Sequence, residues 1–158
     1  DMVGSTELTA RLGDARATDM VRAHDSLVRR ELNAYGGREV KHLGDGIMAV
    51  FPDAEDAVEC ACAIQRGVVA FNATTREPMY LRIGMHVGEP VEDNNDLFGA
   101  AVQMAARICD DAAVEAVVIS EALRAAVEHC CRVTPLGKRM LKGFKDPAPL
   151  FAVEWREA

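Results

Sequence analysis

Val40-Lys41-His42-Leu43-Gly44-Asp45-Gly46-Ile47-Met48-Ala49-Val50-Phe51 reads as strand, tight turn, strand. Val40, Ile47, Val50 and Phe51 are strand formers, and Gly44-Asp45-Gly46 has the chemistry of a hairpin-type turn. An aspartate at such a tip has two readings. Asp-Gly serves turn geometry alone in many hairpins. Alternatively, Asp45 is a carboxylate held away from the sheet for a metal, with Lys41 pointing into a site. The stretch does not choose between them; the rest of the chain does.

Outward from the hairpin, helical and extended patterns alternate. Asp1-Met2-Val3-Gly4-Ser5-Thr6 reads as a strand end running into a small-residue loop, with Ser5 or Thr6 capping a helix that begins near Glu7. Met20, Val21, His24, Leu27, Val28 and Glu31 form one stripe of a helix ended by Gly36-Gly37. After the hairpin, Asp53 caps a helix whose buried face is Ala57, Ala61, Ile64, Val68 and Phe71. Met79 to Glu89 alternates as a strand, with Leu81, Ile83, Met85 and Val87 inward and Arg82, Gly84 and His86 on a solvated face. Glu92 to Asp96 is an acidic turn. Phe98 to Cys109 is a short helix with Val102, Ala105, Ala106 and Cys109 buried, and Gln103 and Arg107 share a face one turn apart. Val117-Val118-Ile119 is a strand, Ser120 caps another helix, and two further strands flank the basic segment Lys138 to Lys145.

This order predicts an α+β domain: a mostly antiparallel sheet, helices packed on one face, and a ferredoxin-like βαββαβ kernel. The 158 residues suit one core. A net charge of −7 excludes nucleic acid as the main partner, since duplex binding needs a cationic face. The five cysteines, Cys60, Cys62, Cys109, Cys130 and Cys131, fit no zinc spacing and read as reduced thiols. No apolar run reaches transmembrane length, so no membrane contact is expected of this segment and a cytoplasmic location is expected.

Six segments, in order, then carry a resemblance: Asp1 to Thr6, Lys41 to Gly46, Leu81 to Gly88, Asp96 to Gly99, Val102 to Arg107 and Leu141 to Phe144. Over nearly its whole length the chain resembles the class III nucleotidyl cyclase catalytic domain of adenylate and guanylate cyclases, in its bacterial homodimeric form. The resemblance implies one catalytic domain over 1–158, its N-terminal strand truncated. It implies attack of a ribose 3′-OH on the α-phosphate of ATP, giving 3′,5′-cyclic AMP and pyrophosphate. Two divalent ions, Mg²⁺ or Mn²⁺, would be held by Asp1, Asp45 and the carbonyl of Met2. The loop Val3, Gly4, Ser5 and Thr6 would meet the terminal phosphates, with Arg82 and Lys142 as cations. Lys41 and Asp96 would read the base as donor and acceptor, a pair that complements adenine. Arg107 would meet transition-state charge. Gln103 stands where the family usually has Asn to orient the ribose. Both half-sets of residues in one chain imply a homodimer with sites shared across a two-fold axis. The competing readings are a guanylate or mixed-specificity cyclase and a non-catalytic nucleotide-binding or dimerisation module.

Overall fold

The computed structural model describes residues 1–156. In chain order the elements are α1 (Ser5–Leu12), α2 (Asp14–Ala34), β1 (Arg38–His42), β2 (Ile47–Val50), α3 (Ala54–Asn72), β3 (Ile83–Met85), β4 (Val91–Asp93) and β5 (Asp96–Phe98). They continue with α4 (Ala100–Asp111), β6 (Val117–Ser120), α5 (Glu121–Val127), β7 (Val133–Arg139) and β8 (Ala148–Val153). The expected α+β class holds. Strands β3, β6, β8 and β7 form one sheet, in which β3 and β6 are parallel and the other pairs antiparallel.

Local chemistry explains most boundaries. Asp53 accepts from the Asp56 N–H at 3.0 Å and starts α3; Ser120 accepts from the Leu123 N–H at 3.2 Å and starts α5. Helix α2 closes with Gly37 N–H bonded to Leu32 C=O at 2.8 Å, while Gly36 takes a left-handed φ of 74°. The acidic turn is itself a hairpin, β4–β5. Its Asn94 and Asn95 adopt φ of 49° and 62°, the paired left-handed turn that matches strand twist.

The start of α1 differs from expectation. The helix begins at Ser5, and Gly4 at φ 69° is the N-cap with no side-chain cap. Ser5 is the first helical residue rather than the cap, and its hydroxyl donates to Asp45 Oδ2 at 2.6 Å.

Residues 1–3 join the β1–β2 hairpin to the main sheet. Met2 N–H donates to Asp45 C=O at 2.8 Å, while Val3 N–H donates to Tyr80 C=O at 2.8 Å and Arg82 N–H to Asp1 C=O at 2.9 Å. The hairpin turn and β3 are thereby set at a fixed spacing.

Strand β6 is buried on both faces, which suits its unbroken Val117-Val118-Ile119 run. Val117 and Ile119 pack with Val58, Ala61, Leu123 and Val127 of α3 and α5. Val118 packs the other way, with Ile108 of α4 and Leu150. Helices α2, α3 and α5 thus follow the expected one-sided packing, and α4 lies across the opposite face.

The position of α4 revises the reading of Arg82, Gly84 and His86 as a solvated face. A Cβ on Gly84 would stand 2.2 Å from the Cys109 nitrogen and 2.8 Å from Ala105 C=O. Only glycine lets the α4 backbone lie directly on β3. Along α4, Ile108 is the fully buried residue, while Val102, Ala105 and Cys109 are half-buried and Ala106 is exposed.

Candidate active site

The hairpin turn is built around Asp45. Leu43 N–H bonds to Gly46 C=O at 2.8 Å, and Gly44 supplies the left-handed φ of 79°. Asp1 lies against this turn: a Cβ at Gly46 would approach Asp1 Oδ1 to 3.0 Å. Gly46 thus has a packing reason that turn chemistry alone does not disclose. Its missing side chain leaves room for a carboxylate arriving from another segment.

Each aspartate spends one oxygen on an internal partner. Asp45 Oδ2 accepts from Ser5 Oγ, and Asp1 Oδ2 accepts from Arg82 Nη2 at 2.8 Å. Oδ1 of each has no hydrogen-bond partner among the described residues. The carbonyl of Met2 lies outside the strand bonds, which Asp1 and Val3 make. Two carboxylates and a carbonyl are hard oxygen donors that suit Mg²⁺ or Mn²⁺, with phosphate and water oxygens completing the shell. No cluster of three or more His, Cys, Asp or Glu arranged for a metal exists among the described residues. A site made by Asp1 and Asp45 therefore depends on ligands from outside the chain's own side chains.

Arg82 is not a free cation. Its Nη2 pairs with Asp1, its Nη1 donates to Asp110 C=O at 3.1 Å, and its Nε is buried without a partner among the described residues. Contact with a triphosphate there requires Arg82 to be shared with Asp1. The backbone of the Val3–Thr6 loop also divides. Val3 N–H is consumed by Tyr80 C=O, so the expectation of four phosphate-facing N–H groups is corrected for Val3. The first helical bond is Leu8 N–H to Gly4 C=O, which leaves the N–H groups of Ser5 and Thr6 at the open first turn of α1.

Lys41 and Asp96, 55 residues apart, meet: Lys41 Nζ donates to Asp96 Oδ2 at 3.0 Å. Asp96 Oδ1 accepts from Leu97 N–H at 2.8 Å. Lys41, and after it this N–H, hold the Asp96 carboxyl below the usual carboxylate range. A β-bulge between Glu39 and Lys41 sets the phase of the strand end, so Lys41 faces β5 while His42 faces α2.

The remaining expected residues stand apart from these pairs. Gln103 is exposed on α4, and Arg107, one turn on, donates to Asp110 Oδ2 at 3.1 Å. Lys142 is exposed in the turn between β7 and β8, beside buried Leu141. Neither Gln103 nor Lys142 makes a side-chain hydrogen bond among the described residues. A cleft of about 510 Å³ separates the hairpin from α4 and is bordered by Asp1, Gly46, Arg82, Val102 and Ala105.

The thiols stay outside this site, with the exception of Cys109 at its edge. All five are free; Cys60 faces the α2 side of the core and Cys62 the α5 side. Burial pushes the Cys60 thiol up to about 12, which makes it unreactive. No helix among the described residues is long and apolar enough to cross a membrane.

Comparison with known proteins gives a consistent result. The sequence model of the family described as "Adenylate and Guanylate cyclase catalytic domain" matches residues 1–154. A putative adenylate cyclase 3 of Rhizobium meliloti is 34% identical over 110 residues, covering 68% of this chain and 19% of its own length. An adenylate cyclase of Streptomyces coelicolor is 33% identical over 122 residues, covering 77% of this chain and 31% of its own length. The chain thus spans less than a third of either relative. Among solved structures, an adenylate/guanylate cyclase/hydrolase from Silicibacter pomeroyi superimposes with a TM-score of 0.81. It is 27% identical, with 97% of this chain and 91% of that one covered.

Proposed function

Because the chain belongs to the family of adenylate and guanylate cyclase catalytic domains, we propose that it is an adenylate cyclase domain over 1–158, converting ATP to 3′,5′-cyclic AMP and pyrophosphate. The observation that carries the choice of ATP is the Lys41–Asp96 pair at 3.0 Å. An ammonium offers donors only and a carboxylate offers acceptors only. Adenine presents an acceptor at N1 and a donor at its exocyclic amine, so the pair can open and close again on that edge. Guanine presents the opposite pattern and meets two mismatches.

Asp1, Asp45 and the Met2 carbonyl are the groups that would hold two divalent ions, Mg²⁺ or Mn²⁺, whose chemistry is to neutralise the triphosphate and acidify the 3′-OH. Ser5 fixes the Asp45 carboxylate by its hydroxyl. Arg82 orients Asp1 and adds positive charge where phosphates approach. The open N–H groups of the first turn of α1 favour an anion. On the other side of the reaction, Arg107 supplies a planar guanidinium for charge developing on the α-phosphate. Gln103 orients the ribose through its amide, with Lys142 as a further phosphate cation. Because Gln103, Arg107 and Lys142 face outward while Asp1 and Asp45 are tied together, the complete site is formed by two copies of the chain, each giving one half.

The test is product formation by purified protein from ATP and from GTP, with Mn²⁺ and with Mg²⁺, over a range of protein concentrations. Cyclic AMP with specific activity rising on concentration is expected. Cyclic GMP in excess would move the reading to a guanylate or mixed-specificity cyclase. A folded dimer that makes neither product would leave a nucleotide-binding module, and the extra methylene of Gln103 favours that second reading. A displacement near 1 Å costs about a hundredfold in rate.

A further inference from the structure

Asp25 and His42 have no part in the mechanism above, yet they connect the longest helix to the Asp45 turn. Asp25, in the middle of α2, is a half-buried carboxylate with both oxygens occupied. His24 Nδ1 bonds to Oδ1 at 2.9 Å and His42 Nε2 bonds to Oδ2 at 2.9 Å. A carboxylate only accepts, so both imidazoles donate to it. His42 then has its lone pair on Nδ1, and that atom accepts from the Gly44 N–H at 3.3 Å. The result is a chain of contacts running from α2 through His42 into the backbone of the turn.

The surroundings keep this chain in place. His24 is fully buried and holds Oδ1 of Asp25 from within the core. Arg29 stands 3.9 Å from Oδ2 of Asp25 and is itself clamped by both oxygens of Glu39 on β1, at 2.8 and 2.9 Å. On the far side of the turn, Met2 N–H and Ser5 Oγ hold the backbone and the carboxylate of Asp45. The turn is pinned from two directions, and without His42 one of them is lost. Gly44 alone does not replace it, because nothing lies within 4 Å of its outer face.

We propose that Asp25 and His42 are a positioning pair: the neutral imidazole, oriented by Asp25, sets the Gly44-Asp45-Gly46 turn and so the carboxylate that would hold metal. The proposal rests on the cyclase reading for its consequence, but not for its geometry. Outer partners of metal-holding groups typically carry about 10- to 100-fold in metal affinity or activity.

The experiment has two arms. In the first, nitrogen-15 NMR of the protein without nucleotide reads the His42 tautomer and the exchange rate of the Gly44 amide. The Nε2–H tautomer is expected, and His42→Ala is expected to speed Gly44 exchange at least about tenfold. An Nδ1–H tautomer, or unchanged exchange, overturns the proposal. In the second arm, Mn²⁺ binding is followed by electron paramagnetic resonance with a non-reacting ATP analogue, beside turnover. His42→Ala is expected to raise the Mn²⁺ requirement about tenfold and leave the ATP-to-GTP preference unchanged. His42→Asn keeps an acceptor near Nδ1 and is expected to recover most of the loss. An unchanged Mn²⁺ requirement in His42→Ala overturns the proposal. If the unsubstituted protein makes no cyclic nucleotide, the cyclase reading fails, while the tautomer and the Gly44 exchange still decide the positioning pair. If His42→Ala does not fold, the tautomer of the unsubstituted protein decides alone.

Discussion

Around Asp45, the anchors come from the same chain: Ser5 Oγ on the carboxylate, Met2 N–H on the carbonyl, and Asp1 beside Gly46. Around Arg107, the one side-chain partner among the described residues is Asp110, three residues on, while Gln103 and Lys142 project into solvent. The side proposed to hold metal is finished by folding. The transition-state side presents its groups on a firm support with nothing to act upon. A chain can hold two carboxylates close together only if it neutralises or shares them, here through Arg82 and Ser5. An arginine and an amide carry no such cost and can wait exposed on a helix. On the proposed reading, this contrast fits a site divided between two copies.

The most direct way to break this contrast is to damage each side separately. Asp45→Ala is expected to abolish turnover without loss of fold, and Arg107→Ala to lower kcat by about 10²–10³-fold. Mixing the two inactive variants should restore activity, because a mixed dimer contains one site with both halves intact. Absence of recovery in a mixture shown to exchange subunits would place both halves in one chain.

Lys41→Glu probes the pair proposed to read the base. Charge-assisted hydrogen bonds contribute about 1.5–3 kcal/mol, so preference for ATP over GTP should fall roughly ten- to a hundredfold. Competition between the two nucleotides in one reaction measures it; an unchanged ratio would remove Lys41 from base reading.

The support under Arg107 is open to test by stability. Gly84→Ala places a methyl against the Cys109 nitrogen and should cost about 1–3 kcal/mol as α4 is pushed off β3. Chemical denaturation reads this directly. Turnover in the folded fraction should fall as well, since Arg107 moves with the helix, whereas the Lys41–Asp96 preference should hold.

The smallest effect concerns the interior behind the metal side. Burial, opposed by the bond to Asp25, keeps His24 below its ordinary 6.5. Well above pH 6.5 neither state is charged, and stability is at its plateau. As pH falls below that value, the unfolded chain takes up a proton that the folded one resists, so stability declines until the folded group also titrates. His24→Gln should make the acid side of a melting-temperature profile shallower, by at most about 1.4 kcal/mol per pH unit. A profile of identical slope would mean that other groups set the acid limit.

What the sequence could disclose follows from the range of the interactions. Asp53 and Ser120 were legible as caps because their partners lie three residues away. The hairpin at Gly44 was legible for the same reason. Gly84 was not: a glycine within an alternating strand signals close approach, but only the tertiary fold says what approaches. Asn94-Asn95 is a hairpin signal that the surrounding acidic residues obscured. For the site, Lys41 and Asp96 are 55 residues apart, and no spacing rule joins them. They could be paired from the sequence only through family resemblance. The sequence suggests Ser5 as a helix cap, whereas it is the first residue of α1 and its side-chain partner, Asp45, is 40 residues distant.

The bulge between Glu39 and Lys41 gives this hairpin an unusual kind of vulnerability. Side chains along a strand alternate, so what faces β5 and what faces α2 is a matter of odd and even. The extra residue bends the strand just before this pair, with Lys41 outward to Asp96 and His42 inward to Asp25. Removing Val40 would leave Glu39 opposite Ala49 and Lys41 opposite Met48, and would take out the bend and added twist that the bulge gives the strand. On the proposed reading, the aim of Lys41 would then change with no functional residue altered, which a comparison of residue types alone does not register.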